Sequence, residues 1–211
     1  MDTFRARIEN FIYDSWKVFA HKAGNEVISV NNDASMQVNY AYLLKKHIDL
    51  IIYDKKEKID IELEHAQMVN KQYKTIDILL KTSNAKETLY IPINLKCYRQ
   101  STRSGGKSGA SDIFKKEVYA GLELLEQYAT LPHFAQGYEL IMTNVKSLVY
   151  APENQSTKQG DYSISKGHEI KDGIHLPSLI GGKDIDITLN KSYRFEWHQH
   201  GNFWFSLIQG I

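Results

Sequence analysis

The chain has 211 residues, of which 42% are hydrophobic and 24% charged, and its formal net charge at pH 7 is +1. This profile is typical of one globular domain with a substantial core, and it excludes a protein that holds nucleic acid through a strongly basic overall charge. The single cysteine, Cys97, excludes an internal disulfide and favours a cytoplasmic setting. We expect no membrane partner, because no apolar run reaches the ~18 residues that a span needs and the charged N-terminus lacks a signal-like apolar core.

Helical and strand patterns alternate along the chain. Apolar residues at helical spacing predict one helix over 3–22 and another over 112–128. A further helix is predicted to begin near Ala34, with Asp33 as its candidate N-cap. Alternating or β-rich apolar runs predict strands over 58–64, 75–80, 89–98, 138–142, 185–189, 193–198 and 203–208. The stretch 151–182 is rich in Gly, Ser, Asn and Lys, which predicts mostly loop.

The order of these elements indicates an α/β fold. The polar segment 82–87 predicts a hairpin between the second and third strands. The helix at 112–128 lies between the third and fourth strands, which predicts a parallel pair with a right-handed crossover. We therefore expect one domain over 1–211, built on a central mixed β-sheet flanked by helices. Its core would cover about 33–150, and C-terminal strands within 184–208 would complete it.

Three polar residues lie within the apolar runs of the predicted hairpin. Asp77 is in the first run, and Asn94 and Lys96 are in the second. Side chains alternate along a strand, so Asn94 and Lys96 point to the same face, and the hairpin would bring Asp77 close to both. A carboxylate, an amide oxygen and an amine at one place on a sheet can bind a divalent metal and activate water against a phosphodiester.

An Asp on one strand, followed on the next strand by an acid, any residue and a lysine, is the pattern of the PD-(D/E)XK nuclease superfamily. Its best-known members are the type II restriction endonucleases. This chain resembles that superfamily at Asp77 and Lys96, and its segments 91–99 and 112–119 look like the strand and helix of a restriction-type core. The resemblance covers roughly residues 33–150. It implies a restriction-endonuclease-like fold and Mg²⁺-dependent hydrolysis of phosphodiester bonds in double-stranded DNA by a homodimeric endonuclease.

The resemblance also implies a role for each matching residue. Asp77 would bind Mg²⁺, Asn94 would occupy the second ligand position, and Lys96 would position the attacking water. The family usually has Glu where this chain has Asn94, and an amide oxygen brings no negative charge. Three explanations stay open: a weakened or inactive member, a position altered from Glu, or a carboxylate supplied from elsewhere. The alternative function is a catalytically inactive DNA-binding module on the same scaffold.

Five other acids are candidates for completing the metal site. Four of them also have an ordinary structural explanation: helix capping for Asp33 and Asp112, and a solvated or lysine-paired strand face for Glu62 and Glu64. The five are Asp33, Glu62, Glu64, Asp112 and Glu117.

A basic loop follows the third strand of the predicted core. It contains Arg99, Arg103 and Lys107 among small residues, which is typical of a segment that grips DNA phosphates. An ordinary surface loop explains the same composition. We expect base contacts to come from loops outside the core, including 151–182, and the sequence does not predict which bases they read.

Overall fold

The computed structural model describes residues 3–100, 111–150, 162–180 and 183–211. Four α-helices lie in these ranges: α1 (Phe4–Gly24), α2 (Asp33–His47), α3 (Ser111–Ala129) and the short α4 (Lys146–Val149). A 3-10 helix at Ile48–Ile51 follows α2. None of the helices in the described part of the chain combines the length and apolar character that a bilayer crossing needs.

Strands occupy most of the remaining described residues. The first four are β1 (Lys58–Val69), β2 (Gln72–Ser83), β3 (Thr88–Tyr98) and β4 (Tyr138–Thr143). The later ones are β5 (Glu169–Ile170), β6 (Ile174–Ile180), β7 (Lys183–Leu189), β8 (Tyr193–Arg194), β9 (His198–His200) and β10 (Phe203–Ile208).

The central sheet is six-stranded and mixed, in the order β1-β2-β3-β4-β10-β9. β1, β2 and β3 are successive antiparallel neighbours, whereas β3 and β4 run parallel through the crossover helix α3. The α/β architecture, the hairpin after β2 and the parallel pair are therefore confirmed.

Helices cover both faces of this sheet. Apolar side chains of α1 and α2, including Phe19 and Leu44, pack with Ile78 and Ile93 on one face. α3 covers the other face, where Leu125 and Tyr128 pack against Leu79. Alternate residues of β2 and β3 therefore lie under different helices, and Asp77, two residues from Leu79, faces α3.

The second half of the chain differs from the expectations in two respects. The stretch 151–182 was expected to be mostly loop, but it contains β5 and also β6, which forms an antiparallel hairpin with β7. The C-terminal strands do not all complete the main sheet. Of the described C-terminal strands, β9 and β10 join it, while β5 pairs with β8 in a separate two-stranded sheet. Residues 151–161 and 181–182 lie outside the described residues.

The N-cap of α2 is Asn32, so the expectation that Asp33 caps this helix is wrong. The Asn32 side chain accepts a hydrogen bond from the Ser35 backbone N–H (2.9 Å), and Ser35 Oγ accepts one from the Asn32 N–H (3.0 Å). This reciprocal pair is a capping box. It leaves the Asp33 carboxylate available for a contact with the sheet.

Replacing the cap residue should weaken α2 measurably. We expect Asn32→Ala to lower the free energy of unfolding by about 1 kcal/mol, because the Ser35 backbone N–H in the first turn loses its side-chain acceptor. Asn32→Asp keeps a carboxylate oxygen as acceptor and should leave the stability nearly unchanged. Urea denaturation of the three proteins measures this, and equal losses for both variants would contradict the capping assignment.

Candidate functional site

The candidate site lies where β2 separates from β3. Their last paired residues are Ile78 and Ile93, so Asp77 and Asn94 follow immediately beyond the end of the ladder. Asp77 Oδ2 accepts a hydrogen bond from the backbone N–H of Leu95 (2.6 Å), which would otherwise have no strand partner there. The side chain thus replaces a missing backbone acceptor and holds the two strands at the point of divergence.

Lys96 places an amine among several carboxylates on the α3 side of the sheet. Burial by itself disfavours the charged amine, but the charges of Glu139, Asp77 and Asp33 outweigh it, so the pKa of Lys96 is raised. The charge of Glu117 also raises the pKa of Lys96. The structure therefore brings Asp77 and Lys96 into one electrostatic cluster, as the sequence predicts, and the lysine in it is fully charged at neutral pH.

Glu139 belongs to this cluster and was not anticipated from the sequence. The parallel register of β3 and β4 pairs it directly with Asn94, so the two side chains share a face. Glu139 is fully buried and Asn94 is 5% exposed. The sequence did contain a feature that could have identified Glu139: it is the one acid in the otherwise uncharged strand β4, in which every residue is buried.

Neither carboxylate oxygen of Glu139 has a hydrogen-bond partner among the described residues. Burial raises the pKa of this carboxyl group to about 8, although the positive charge of Lys96 opposes the shift. The Asn94 amide also favours the ionised form, but it lies outside good hydrogen-bond geometry. Its Nδ2 instead donates a long hydrogen bond to the Gly121 carbonyl oxygen of α3 (3.4 Å).

Gly121 makes room for the Glu139 carboxylate beneath α3. A Cβ atom at this position would lie 2.7 Å from both Glu139 oxygens, closer than real Cβ contacts allow. The absence of a side chain at Gly121 therefore permits α3 to cover an acid that sits in the middle of the sheet.

A second set of polar contacts ties α2 to the same region. Gln37 Nε2 donates to Glu64 Oε1 and to the Asp77 carbonyl oxygen, both at 2.6 Å. Glu64 has a φ of 52°, an unusual value that interrupts the β1 ladder opposite Asp77. Asp33 Oδ1 accepts from the Cys97 N–H (2.5 Å). Two of the alternative acids, Glu64 and Asp33, therefore lie beside the site but are already engaged.

The remaining alternative acids are farther from the cluster or paired elsewhere. Glu62 forms an ion pair with Lys81 and a hydrogen bond with the His65 ring, which is the ordinary explanation for an acidic strand face. Asp112 is exposed in the first turn of α3. Its charge helps to raise the pKa of Tyr98 and is not among the charges that raise the pKa of Lys96. Glu117 is exposed on α3 but contributes to the field at Lys96.

Arg99 of the predicted DNA-binding loop is held by the protein itself. Its Nη1 donates to the Val30 carbonyl oxygen (2.6 Å) and to Asn31 Oδ1 (3.1 Å), and its guanidinium lies over the Phe203 ring. These contacts favour a packing role, and a phosphate contact stays a prediction. Arg103 and Lys107 lie outside the described residues.

Within the described ranges, no group of three or more His, Cys, Asp and Glu side chains is arranged to hold a metal ion. This does not conflict with Mg²⁺, because that ion keeps several waters and is often bound through only one or two carboxylates.

Comparison with known proteins identified no relative of the chain. No protein-family model, no curated protein and no solved structure matches the chain.

The titration of Glu139 should appear in the pH dependence of stability. Its pKa is about 8 when folded, above the ordinary value of 4.5, so the folded state holds a proton that the unfolded state releases. Relative to Glu139→Gln, the wild-type protein should therefore lose stability as pH rises between these values, by up to about 1.4 kcal/mol per pH unit. Urea denaturation of both proteins across that range tests this. Parallel pH profiles would contradict a buried, proton-holding Glu139.

The fit between Gly121 and Glu139 is testable by a double-mutant cycle. Gly121→Ala should cost about 1–3 kcal/mol, because the new methyl group collides with the carboxylate. Combining it with Glu139→Ala removes the colliding group, so the double variant should be less destabilised than the sum of the single variants. Simple additivity in denaturation experiments would show that the two residues do not share this space.

Proposed function

We propose that the chain is a Mg²⁺-dependent endonuclease that hydrolyses phosphodiester bonds of double-stranded DNA. The observation that carries the proposal is the charged, largely buried amine of Lys96 among carboxylates at the point where β2 and β3 diverge. The order of strand, hairpin, strand, crossover helix and parallel strand supports a restriction-endonuclease-like core. A cluster of buried ionisable groups with shifted pKa values is typical of a catalytic site.

The residues at the site fit a divalent cation. Burial raises the pKa of Asp77, since its hydrogen bond from Leu95 and the charge of Lys96 only partly offset the loss of hydration. A bound cation would favour the ionised form of this carboxylate and of its neighbours. We propose that Asp77 and the amide oxygen of Asn94 hold Mg²⁺, which supplies Lewis-acid polarisation of the phosphate when bound.

The protein's own side chains prepare the site for phosphoryl chemistry. Leu95 orients the Asp77 carboxylate through Oδ2 and leaves Oδ1 without a hydrogen bond from the described residues. The Lys96 amine keeps its proton, so it offers hydrogen-bond donors to an attacking water and to the phosphate oxygens on which charge develops. Its positive charge also offsets the repulsion between the acids and an anionic substrate.

A second candidate function is a DNA-binding module without cleavage activity. The observation that favours it is the Asn94 amide, which donates to the Gly121 carbonyl and brings no charge to the site. Cleavage by an Asn94→Glu variant but not by the wild-type chain would support this alternative.

Double-stranded DNA as partner, a homodimer and a cytoplasmic setting belong to the same proposal. A homodimer would place one active site at each of the two DNA strands, and its twofold symmetry would match that of a palindromic target.

Substitution of the two central residues should abolish cleavage. With Mg²⁺ or Mn²⁺ and a mixture of long double-stranded DNAs of varied sequence, we expect Asp77→Asn and Lys96→Met to lower the cleavage rate about 100-fold or more. Gel electrophoresis of the products measures the rate.

The matched controls lie on exposed positions of the neighbouring β1–β2 hairpin. Asp60→Asn on β1 and Lys74→Met on β2 make the same chemical changes away from the cluster, and both should retain full activity. Equal loss in the controls and the site variants would contradict the assignment. DNA binding without cutting by the wild-type chain would favour the module, and neither binding nor cutting would overturn both functions.

A further inference from the structure

Burial of Glu139 has a free-energy cost that its surroundings offset only in part. It is fully buried, and neither of its oxygens accepts a hydrogen bond from a described residue. Burial of an unpaired carboxyl group is unfavourable by several kcal/mol on typical scales, and more so if it is ionised. Gly121 leaves open the space next to the Glu139 carboxylate that a Cβ atom would otherwise occupy. A buried acid with a strongly shifted pKa, for which the fold leaves room, is typical of a residue with a functional role.

The position of Glu139 supplies the charge that position 94 lacks. Asn94 is its direct partner in the β3–β4 register, and Asp77 follows the last residue pair on the other side of Asn94. The three residues therefore form a row across neighbouring strands, with the neutral amide between two acids. Neighbouring strands are about 4.8 Å apart, so an acid on β4 reaches the same region as a longer acid at position 94 would.

The other nearby acids are partly engaged or exposed, whereas Glu139 is fully buried and neither of its oxygens accepts a hydrogen bond from a described residue. Asp33 accepts from the Cys97 N–H, and Glu64 accepts from Gln37. Glu117 also acts on Lys96 but is exposed on α3. Of the acids that influence Lys96, Glu139 contributes the largest charge effect.

We propose that Glu139 is the second carboxylate ligand of the divalent-cation site, supplied from β4 in place of an acid at position 94. Asp77 and Glu139 then bind the cation from either side of Asn94, whose amide oxygen is the neutral ligand between them. This inference rests on the proposed function for the role of the cation, but the binding of the cation is tested separately from DNA cleavage.

The experiment is a carboxylate–amide exchange between two adjacent strands. Binding of Mn²⁺ to the full chain is measured by isothermal titration calorimetry for the wild-type protein, Glu139→Gln, and the double variant Asn94→Glu with Glu139→Gln. Glu139→Gln should weaken Mn²⁺ binding about 10- to 100-fold. The double variant returns one carboxylate to the row and should restore binding to within a few-fold. Glu117→Gln and Glu62→Gln are the controls and should bind Mn²⁺ as the wild type does.

Thermal unfolding with and without Mn²⁺ shows that each variant is folded and gives a second measure of binding. A wild-type chain that does not bind Mn²⁺, or a folded Glu139→Gln variant that binds it equally well, overturns the inference. A loss of binding in Glu117→Gln but not in Glu139→Gln also overturns it and assigns the ligand to α3.

Cleavage assays on the same variants separate the two proposals. Mn²⁺ binding that depends on Glu139, without DNA cleavage by the wild type, leaves the inference standing and defeats the endonuclease. DNA cleavage that is unchanged in Glu139→Gln supports the endonuclease and defeats the inference.

Discussion

The site depends on one hydrogen bond, from the Leu95 backbone N–H to the Asp77 carboxylate. Where β2 and β3 separate, backbone groups of β3 lose their partners, and a buried N–H without an acceptor would cost about 1–3 kcal/mol. Asp77 meets this need with one oxygen and keeps the other available. The same contact therefore holds the strands at their point of divergence and fixes a carboxylate beside Lys96. A structural requirement of the sheet and a chemical requirement of the site are satisfied by one side chain.

The balance of charge in the cluster follows from its low polarity. Burial favours the neutral forms of acids and amines alike. The pKa values of all three groups nevertheless rise, for different reasons: those of Asp77 and Glu139 rise because burial dominates, and that of Lys96 rises because the surrounding acids dominate. One cation among several acids leaves the site with an excess of negative charge when the acids ionise. On the proposed function, a divalent cation would remove this excess, which favours a metal-dependent reaction over simple general acid–base catalysis at this cluster.

Much of the fold and part of the site were predictable from the sequence, and the exceptions have physical causes. Period-two alternation and a polar turn were sufficient for the β2–β3 hairpin, and the helix α3 between two apolar runs was sufficient for the parallel β3–β4 pair. β6 was missed because Pro177 and flanking turn residues weaken its strand pattern. The cap of α2 was misplaced by one residue because Asn32 and Asp33 have similar capping preferences. Glu139 was overlooked because its importance depends on the register that pairs it with Asn94, which a single strand does not reveal.

The difference at position 94 between this chain and the nuclease pattern that it resembles is best understood together with Glu139 and Gly121. If position 94 carried a glutamate, two acids would face each other directly on adjacent strands, and like charges in that arrangement are destabilising. A neutral amide at Asn94 avoids this repulsion and anchors β3 to the Gly121 carbonyl of α3. Gly121 in turn provides the space that the Glu139 carboxylate occupies. The three residues therefore fit one another: the acid on β4 lies beside a neutral residue on β3 and beneath a glycine on α3. On the proposed assignment, Asn94 is part of a rearranged site rather than the remnant of a lost one.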